Sequence, residues 1–182
     1  MQNNFKSDLR VSLLAKRTEA AGNPSATEAL CRRLSDWLAE QDFASVGFYY
    51  PIRGEIDLRG VVSKWLAERP GRTASMPVIT DNVMYFHEWT PETPMAKGYA
   101  RIPEPQGSAR VEPDLLLVAC VGCDFNNFRL GYGGGWYDRY VASHPHIKTA
   151  GICYDACRVE SIRPKSFDRK MDWIVTDRNI FF

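Results

Sequence analysis

The chain has 182 residues, enough for one α/β domain with a substantial hydrophobic core, and we expect a single domain over residues 1–182. Its 23 basic and 22 acidic side chains leave a net charge of +1, which gives no reason to expect a nucleic-acid or membrane partner. The sequence contains no apolar run long enough to span a bilayer, and its start is not typical of a secretory signal. We therefore expect a cytoplasmic protein in which any basic binding site is local.

Five cysteines are spread along the chain, at positions 31, 120, 123, 153 and 157. The spacing of Cys120 and Cys123, and the looser spacing of Cys153 and Cys157, would allow a metal or redox pair. Cys120 belongs to an apolar strand, however, and neither pair lies in the Gly- and His-rich context of a zinc knuckle. We interpret the cysteines as reduced thiols.

The chain begins with two predicted helices. The first covers Phe5 to Ala21, where apolar residues recur at helical spacing. Lys6 and Arg10 lie four residues apart, so they project from one face and can hold the same anion, although an ordinary solvated basic face gives the same pattern. After a break at 23–25, the pair Ser25 and Glu28 predicts a capping box for the second helix.

Strands are predicted near residues 46, 73, 84, 115, 149 and 173, and they alternate with helices near 5, 26, 58 and 135. This alternation predicts one three-layer α/β/α domain with a mainly parallel sheet. Residues 91–113 are rich in proline and are predicted to form a long irregular loop. In such a fold, the ligand crevice lies at the carboxyl ends of the strands.

The most informative segment runs from Arg129 to Asp138 and reads Arg-Leu-Gly-Tyr-Gly-Gly-Gly-Trp-Tyr-Asp. It follows the buried apolar run Leu115–Val121 and precedes a predicted short helix. Its four glycines free backbone N–H groups to converge on an anion, and the helix N-terminus adds its dipole. Arg129 supplies a permanent cation, and Asp138 supplies a hard oxygen ligand for Mg²⁺. A flexible surface loop is the alternative, but this concentration of residue types favours a site for a nucleotide triphosphate.

The same segment resembles the signature of the 5-formyltetrahydrofolate cyclo-ligases, also called methenyltetrahydrofolate synthetases. Trp136 stands where the family usually has Tyr or Phe, and Ile102-Pro103-Glu104-Pro105 matches a second family element. The resemblance implies an enzyme that uses ATP and Mg²⁺ to cyclise 5-formyltetrahydrofolate to 5,10-methenyltetrahydrofolate, with release of ADP and phosphate. It implies a small-molecule folate partner whose polyglutamate length the sequence leaves open, and we expect a monomer.

The resemblance also implies a nucleotide site and a metal site. The residues implied to bind ATP are Lys6, Arg10, Arg129, Leu130, Gly131, Tyr132, Gly133, Gly134, Gly135, Trp136 and Tyr137. Lys6 and Arg129 are expected to be catalytic, because they neutralise phosphate oxygens during phosphoryl transfer. The expected Mg²⁺ ligands are Asp138 and Asp168, with Asp172 as the competitor for the second position. An aspartate that caps a turn before the last strand would explain either of the latter two.

The folate site is implied in the same way. Glu55 corresponds to a family carboxylate that accepts hydrogen bonds from the pterin ring, although by itself it would be interpreted as a helix-start residue. Tyr50 is expected to form a wall of this site. The remaining residues implied to contact the substrate are Tyr132, Gly133, Gly134, Gly135 and Trp136.

Two departures from the family pattern motivate one alternative. Ala100-Arg101 replaces a Phe-Gly pair, and Ala119-Cys120 lies where the family has Pro-Gly. One alternative is therefore a catalytically altered relative that binds nucleotide or folate without turnover. A second alternative, which does not depend on these departures, is an enzyme of the wider sugar-phosphate and CoA-transferase type of α/β fold, in which a Gly-rich loop binds a different phosphorylated ligand.

Overall fold

The computed structural model describes residues 2–182, with side chains described from residue 5 onward. Within this range the helices are α1 (Gln2–Ala21), α2 (Pro24–Glu40), α3 (Arg59–Glu68) and α4 (Trp136–Ser143). The strands of the central sheet are β1 (Ser45–Gly47), β2 (Thr73–Thr80), β3 (Val83–Glu88), β6 (Arg110–Val111), β7 (Leu115–Ala119), β10 (Lys148–Ile152), β12 (Trp173–Val175) and β13 (Ile180–Phe181). Shorter pairings involve β4 (Met95–Lys97), β5 (Pro103–Pro105), β8 (Gly122–Asp124), β9 (Arg129–Leu130) and β11 (Arg158–Val159).

The central sheet has the strand order β13-β12-β10-β7-β1-β2-β3-β6. Its five inner strands, from β12 to β2, are parallel, and β13, β3 and β6 are antiparallel additions at the two edges. The prediction of a mainly parallel sheet is therefore confirmed. Strand β7 is fully covered from Leu115 to Val118, as its continuous apolar sequence predicts for a central parallel strand.

Two crossover connections leave the centre of the sheet in opposite directions. The chain runs from β1 through α3 to β2 on one side, and from β7 through α4 to β10 on the other. Because such crossovers are right-handed, α3 and α4 lie on opposite faces of the sheet, which gives the predicted helix–sheet–helix layers. The direction reverses between β1 and β7, and ligands of open α/β sheets bind at this kind of switch point.

The start of α2 differs from the predicted capping box. Asn23 is the N-cap, and its side chain accepts a hydrogen bond from the Ser25 amide at 3.1 Å. Pro24 occupies the first helical turn, where its fixed φ and missing N–H carry no cost. Ser25 is therefore already inside the helix. None of the helices within residues 2–182 combines the length and apolar character that crossing a membrane requires.

Two other local predictions are corrected by the observed strand pairing. Strand β7 ends at Ala119 rather than Val121. The hairpin of β8 and β9 separates it from the glycines at 131–135. The predicted irregular loop 91–113 contains three short strands, of which β4 and β5 pair with each other and β6 extends the central sheet. Strands of two or three residues carry too little periodicity to be recognised from sequence.

The turn before Pro103 has an unusual backbone. Ala100 and Arg101 both have positive φ values, of 51° and 63°, in the left-handed region. The buried carboxylate of Glu104 holds this turn by accepting hydrogen bonds from the amides of Ile79 and Tyr99, at 3.1 and 3.2 Å. The glycine that the family usually carries at the position of Arg101 suits this conformation, whereas an L-residue is strained there.

Replacing Arg101 with glycine is therefore expected to raise the free energy of unfolding by about 0.5–1 kcal/mol, after allowance for the extra entropy of the unfolded chain. Urea denaturation measures this change. Lys97→Gly is the control, because Lys97 is exposed in β4 without a positive φ, and there glycine should destabilise. If the Arg101→Gly variant is no more stable than the original chain, the backbone strain inferred at Arg101 is contradicted.

Candidate active site

One face of α1 points towards the switch point of the sheet. Lys6, Arg10, Leu13 and Arg17 are spaced by four, three and four residues, so they form a single stripe along the helix. Leu13 packs in the hydrophobic core, and the three cations lie against loops that leave the carboxyl-terminal side of the sheet. The predicted shared face of Lys6 and Arg10 is therefore directed at the glycine segment.

The glycine segment, residues 131–135, has a backbone that depends on glycine at specific positions. Gly133 and Gly135 have φ values of 98° and 66°, and Gly135 is the N-cap of α4. A Cβ atom on Gly131 would displace the guanidinium of Arg129 from its present position. Arg10 fixes the start of the segment by donating from Nε to the Gly131 carbonyl at 2.7 Å. These constraints hold the segment at the N-terminus of α4, where an anion is favoured.

Two ion pairs link the four residues predicted to handle phosphate and metal. Arg129 Nη2 lies 2.8 Å from Asp138 Oδ2, and Lys6 Nζ lies 2.6 Å from Asp168 Oδ2. The amide of Arg169 also donates to Asp138 Oδ1, at 3.3 Å, so the segment carrying Asp168 is tied to α4. The structure thus brings together opposite charges from both ends of the chain beside the glycine segment.

Asp172, the competing metal ligand, lies elsewhere. Its Oδ2 atom accepts hydrogen bonds from the amide and the hydroxyl of Thr149, at 2.9 and 3.0 Å. These contacts join the starts of β10 and β12, at the amino-terminal edge of the parallel strands. The glycine segment lies at the opposite, carboxyl-terminal ends of the parallel strands, so Asp172 has a structural role in the sheet.

Glu55 lies in the loop that follows β1, and its side chain is only 6% exposed. Its Oε2 atom accepts a hydrogen bond from the Ile52 amide at 2.9 Å, and its Oε1 atom lies 3.8 Å from Arg17 Nη1. Desolvation by burial raises the pKa of Glu55 to about 6, and this rise is opposed by the Ile52 hydrogen bond and by Arg17. Helix α3 begins only at Arg59, so Glu55 is not a helix-start residue.

Sequence reasoning missed Arg17, which is the most buried arginine among the described residues. It is 2% exposed, and its Nη2 group donates a hydrogen bond to the hydroxyl of Tyr132 in the glycine segment. The signal was present in the sequence, because Arg17 continues the stripe of Lys6 and Arg10 at the next two helical turns.

The predicted aromatic residues surround the glycine segment and the Glu55 loop. The Tyr132 ring lies 5.3 Å from the Arg53 guanidinium, and Trp136 packs edge-on against Tyr99 with ring centroids 5.2 Å apart. Tyr50 lies in the same loop as Glu55, with its ring centroid 5.0 Å from the Arg59 guanidinium. Tyr132 and Tyr99 are partly exposed, so both can offer an aromatic face to a ligand.

Two of the residues predicted to contact ATP, Leu130 and Tyr137, pack against their neighbours in the protein. Leu130 is 2% exposed, and its carbonyl accepts a hydrogen bond from the Val121 amide at 2.8 Å. Tyr137 packs under Arg129, with 5.3 Å between the guanidinium carbon and the ring centroid. Burial raises the pKa of Tyr137, so its hydroxyl stays protonated. The side chains of Leu130 and Tyr137 therefore position their neighbours.

The residues present fit a magnesium ion shared with a ligand. Within residues 2–182, no group of three or more His, Cys, Asp or Glu side chains could hold a metal unaided. Mg²⁺ in nucleotide sites usually takes one or two carboxylates, and substrate phosphates and waters complete its coordination. Asp138 and Asp168, whose segments are joined by the Arg169 amide, would supply that number of hard oxygen ligands.

Comparison with known proteins agrees with this architecture. The model of the 5-formyltetrahydrofolate cyclo-ligase family matches residues 2–177. The chain is 27% identical over 148 residues to the 5-formyltetrahydrofolate cyclo-ligase of Escherichia coli strain K12, covering 75% of this chain and 80% of that protein. It is 23% identical over 151 residues to the cyclo-ligase of Haemophilus influenzae, covering 79% and 81%.

A solved structure shows the same fold. The NMR structure of Aquifex aeolicus 5,10-methenyltetrahydrofolate synthetase aligns with a TM-score of 0.76 at 26% identity, over 96% of this chain and 91% of that chain. The resemblance inferred from the glycine segment is thereby confirmed. From its sequence and its fold, this chain belongs to the 5-formyltetrahydrofolate cyclo-ligase family.

Proposed function

We propose that this protein is a cytoplasmic, monomeric enzyme that cyclises 5-formyltetrahydrofolate to 5,10-methenyltetrahydrofolate, using MgATP and releasing ADP and phosphate. The observation that carries the proposal is the meeting of Lys6 and Arg129 with two carboxylates at the glycine segment. Family membership supports the folate substrate. The buried Glu55, which follows β1 on the other side of the switch point, supports a second ligand beside the first.

The chemistry requires activation of the formyl oxygen, which is a poor leaving group. Transfer of the γ-phosphoryl group of ATP to that oxygen forms a C–O–P linkage and releases ADP. The folate N10 then attacks the formyl carbon and loses its proton to solvent, the C–O bond breaks, and phosphate leaves with its electron pair. No covalent enzyme intermediate is needed, so the protein acts by alignment and by electrostatic stabilisation.

The chain's own charges are arranged for an exchange of partners. In the free protein, Arg129 pairs with Asp138 and Lys6 pairs with Asp168. Phosphate oxygens of ATP would replace these carboxylates as the partners of the two cations, and Arg10 would hold the glycine segment against them. Asp138 and Asp168 would then hold Mg²⁺. When bound, that ion neutralises charge on the phosphate oxygens.

Glu55 and the aromatic residues are proposed to orient the pterin. An ionised carboxylate accepts hydrogen bonds from ring N–H and amino groups, and its burial strengthens them. Tyr132 and Trp136 belong to the glycine segment or directly follow it, and Tyr50 belongs to the Glu55 loop. The pterin would therefore be held between the two loops that leave the switch point.

Replacing Glu55 with glutamine is expected to weaken folate binding by at least about tenfold, because a charge-assisted hydrogen bond is lost. ATP affinity should be retained, since the phosphate-facing cations are unchanged. Titration calorimetry with each ligand separates the two effects. An equal loss of both affinities would count against the pterin role.

The unfolding free energy of the free protein should also depend on the ionisation of Glu55. Because burial raises its pKa from 4.5 to about 6, its contribution to stability is fully present below pH 4.5 and is lost as pH rises through about 6. The unfolding free energy of the unmodified chain, minus that of Glu55→Gln, should therefore fall by about 2 kcal/mol between pH 4 and pH 7. Urea titrations at both pH values measure this difference, and a constant value would refute the shift.

A spectroscopic assay tests the function as a whole. The purified chain is mixed with 5-formyltetrahydrofolate and MgATP, and the absorbance of the methenyl product is followed. Growth of this absorbance, with ADP release at equal rate, supports the enzyme. Thermal stabilisation by folate without product would instead select the binding relative that the replacements at 100–101 and 119–120 motivate.

A further inference from the structure

We propose that Arg17 is a positioning residue that ties the nucleotide loop to the folate-side carboxylate, so that both substrate sites are assembled together. This inference rests on the proposed function and assigns to it a residue outside the motifs that identify the family in this sequence. It concerns three segments that meet at the switch point: the end of β7, the loop after β1 and the glycine segment.

The guanidinium of Arg17 contacts all three segments. Nη1 donates to the Cys120 carbonyl at 3.3 Å, just after β7. Nη2 donates to the Arg53 carbonyl at 2.9 Å, in the loop after β1, and to the Tyr132 hydroxyl in the glycine segment. A planar fork with several fixed donors can make these contacts at once, whereas a lysine ammonium cannot match the geometry.

The same guanidinium is the nearest cation to Glu55. Arg17 is 2% exposed and Glu55 is 6% exposed, and the 3.8 Å between Nη1 and Oε1 makes each the main counter-charge of the other. Burying either charge alone would be costly. Arg17 therefore favours the ionised form of Glu55, and this opposes the rise in the pKa of Glu55 that burial causes.

This shared group couples the two loops energetically. A ligand that orders Tyr132 also orders Arg17, and a ligand that engages Glu55 acts on the same side chain. Binding of one substrate then reduces the ordering cost of the other, which is positive coupling. The Nε atom of Arg17 has no hydrogen-bond partner among the described residues, so the tie depends entirely on the two Nη groups.

The test compares Arg17→Gln and Arg17→Lys with a matched control, Arg72→Gln. Arg72 is also buried, at 7% exposure of its side chain, and donates to the Trp65 carbonyl at 2.8 Å with Glu68 at 3.7 Å. It precedes β2 at the amino-terminal edge of the sheet. Hydrogen exchange of residues 51–56 and 131–135 is measured without ligands, and KM for ATP and for 5-formyltetrahydrofolate is measured by methenyl absorbance across pH.

Arg17→Gln is expected to speed exchange in both segments together and to raise both KM values by at least about tenfold. It should also move the pH midpoint of the folate KM upwards, since Glu55 loses its counter-charge. Arg17→Lys should speed exchange in both segments but keep the midpoint near its original value. Arg72→Gln should lower the melting temperature without these changes.

Faster exchange in one segment alone, or unchanged exchange and KM values in Arg17→Gln, would overturn the proposal. If Arg17→Gln fails to fold, Arg17→Lys decides by the same comparison of the two segments. Absence of methenyl product from the unmodified chain would refute the proposed function instead. The ligand-free exchange data would still decide whether Arg17 ties the two loops.

Discussion

Replacing Asp138 with asparagine is expected to reduce magnesium-dependent turnover by at least about a hundredfold while the fold remains intact. Asparagine keeps the size of the side chain, and its Oδ1 atom can still accept one of the two hydrogen bonds that Asp138 accepts, from Arg129 or from the Arg169 amide. It loses the negative charge that a hard cation requires. The structure therefore predicts a loss of metal-dependent chemistry that is larger than the loss of stability.

Turnover as a function of Mg²⁺ concentration measures this effect, and thermal unfolding monitors the fold. Asp172→Asn is the matched control, because Asp172 bonds to Thr149 at the opposite edge of the sheet. That variant should lose stability and keep its magnesium dependence. Unchanged turnover in Asp138→Asn would remove the metal assignment, and a selective loss in Asp172→Asn would move it to the other aspartate.

Replacing Arg129 with alanine should lower ATP use by at least about tenfold, because a charge-assisted contact to phosphate is worth about 1.5–3 kcal/mol. The structure adds a second consequence. Arg129 is 6% exposed at its side chain and neutralises Asp138, so the variant leaves a partly buried carboxylate without its cation. We therefore expect a lower melting temperature in addition to a higher KM for ATP.

Arg33→Ala provides the comparison for this variant. Arg33 is another arginine with defined partners: it donates to the backbone carbonyls of Thr176 and Asp177 at 3.2 and 3.1 Å, and it joins α2 to the end of β12. It should lose stability without a change in the KM for ATP. A normal KM and a normal rate in Arg129→Ala would contradict its role at the phosphates.

Much of the fold could be predicted from local patterns. The apolar run 115–118 is buried on both faces, and Leu9, Leu13 and Leu14 of α1 pack in or against the core as the helical spacing predicts. The glycine segment was recognisable because its residue types have few other uses within ten positions. The short strands β4, β5, β6, β8 and β9 were not predicted, because segments of two or three residues carry too little periodicity to be recognised.

By itself, the sequence determined which residues carry charge, which backbone positions need glycine, and that Lys6 and Arg10 share a helical face. The tertiary structure alone decided which charges meet. Lys6 and Asp168 are 162 residues apart in the chain, and Arg17 and Tyr132 are 115 apart. The spacing of residues in the sequence determines which side chains share a face only within one helix or strand. Contacts between elements depend on how the crossovers pack on the sheet.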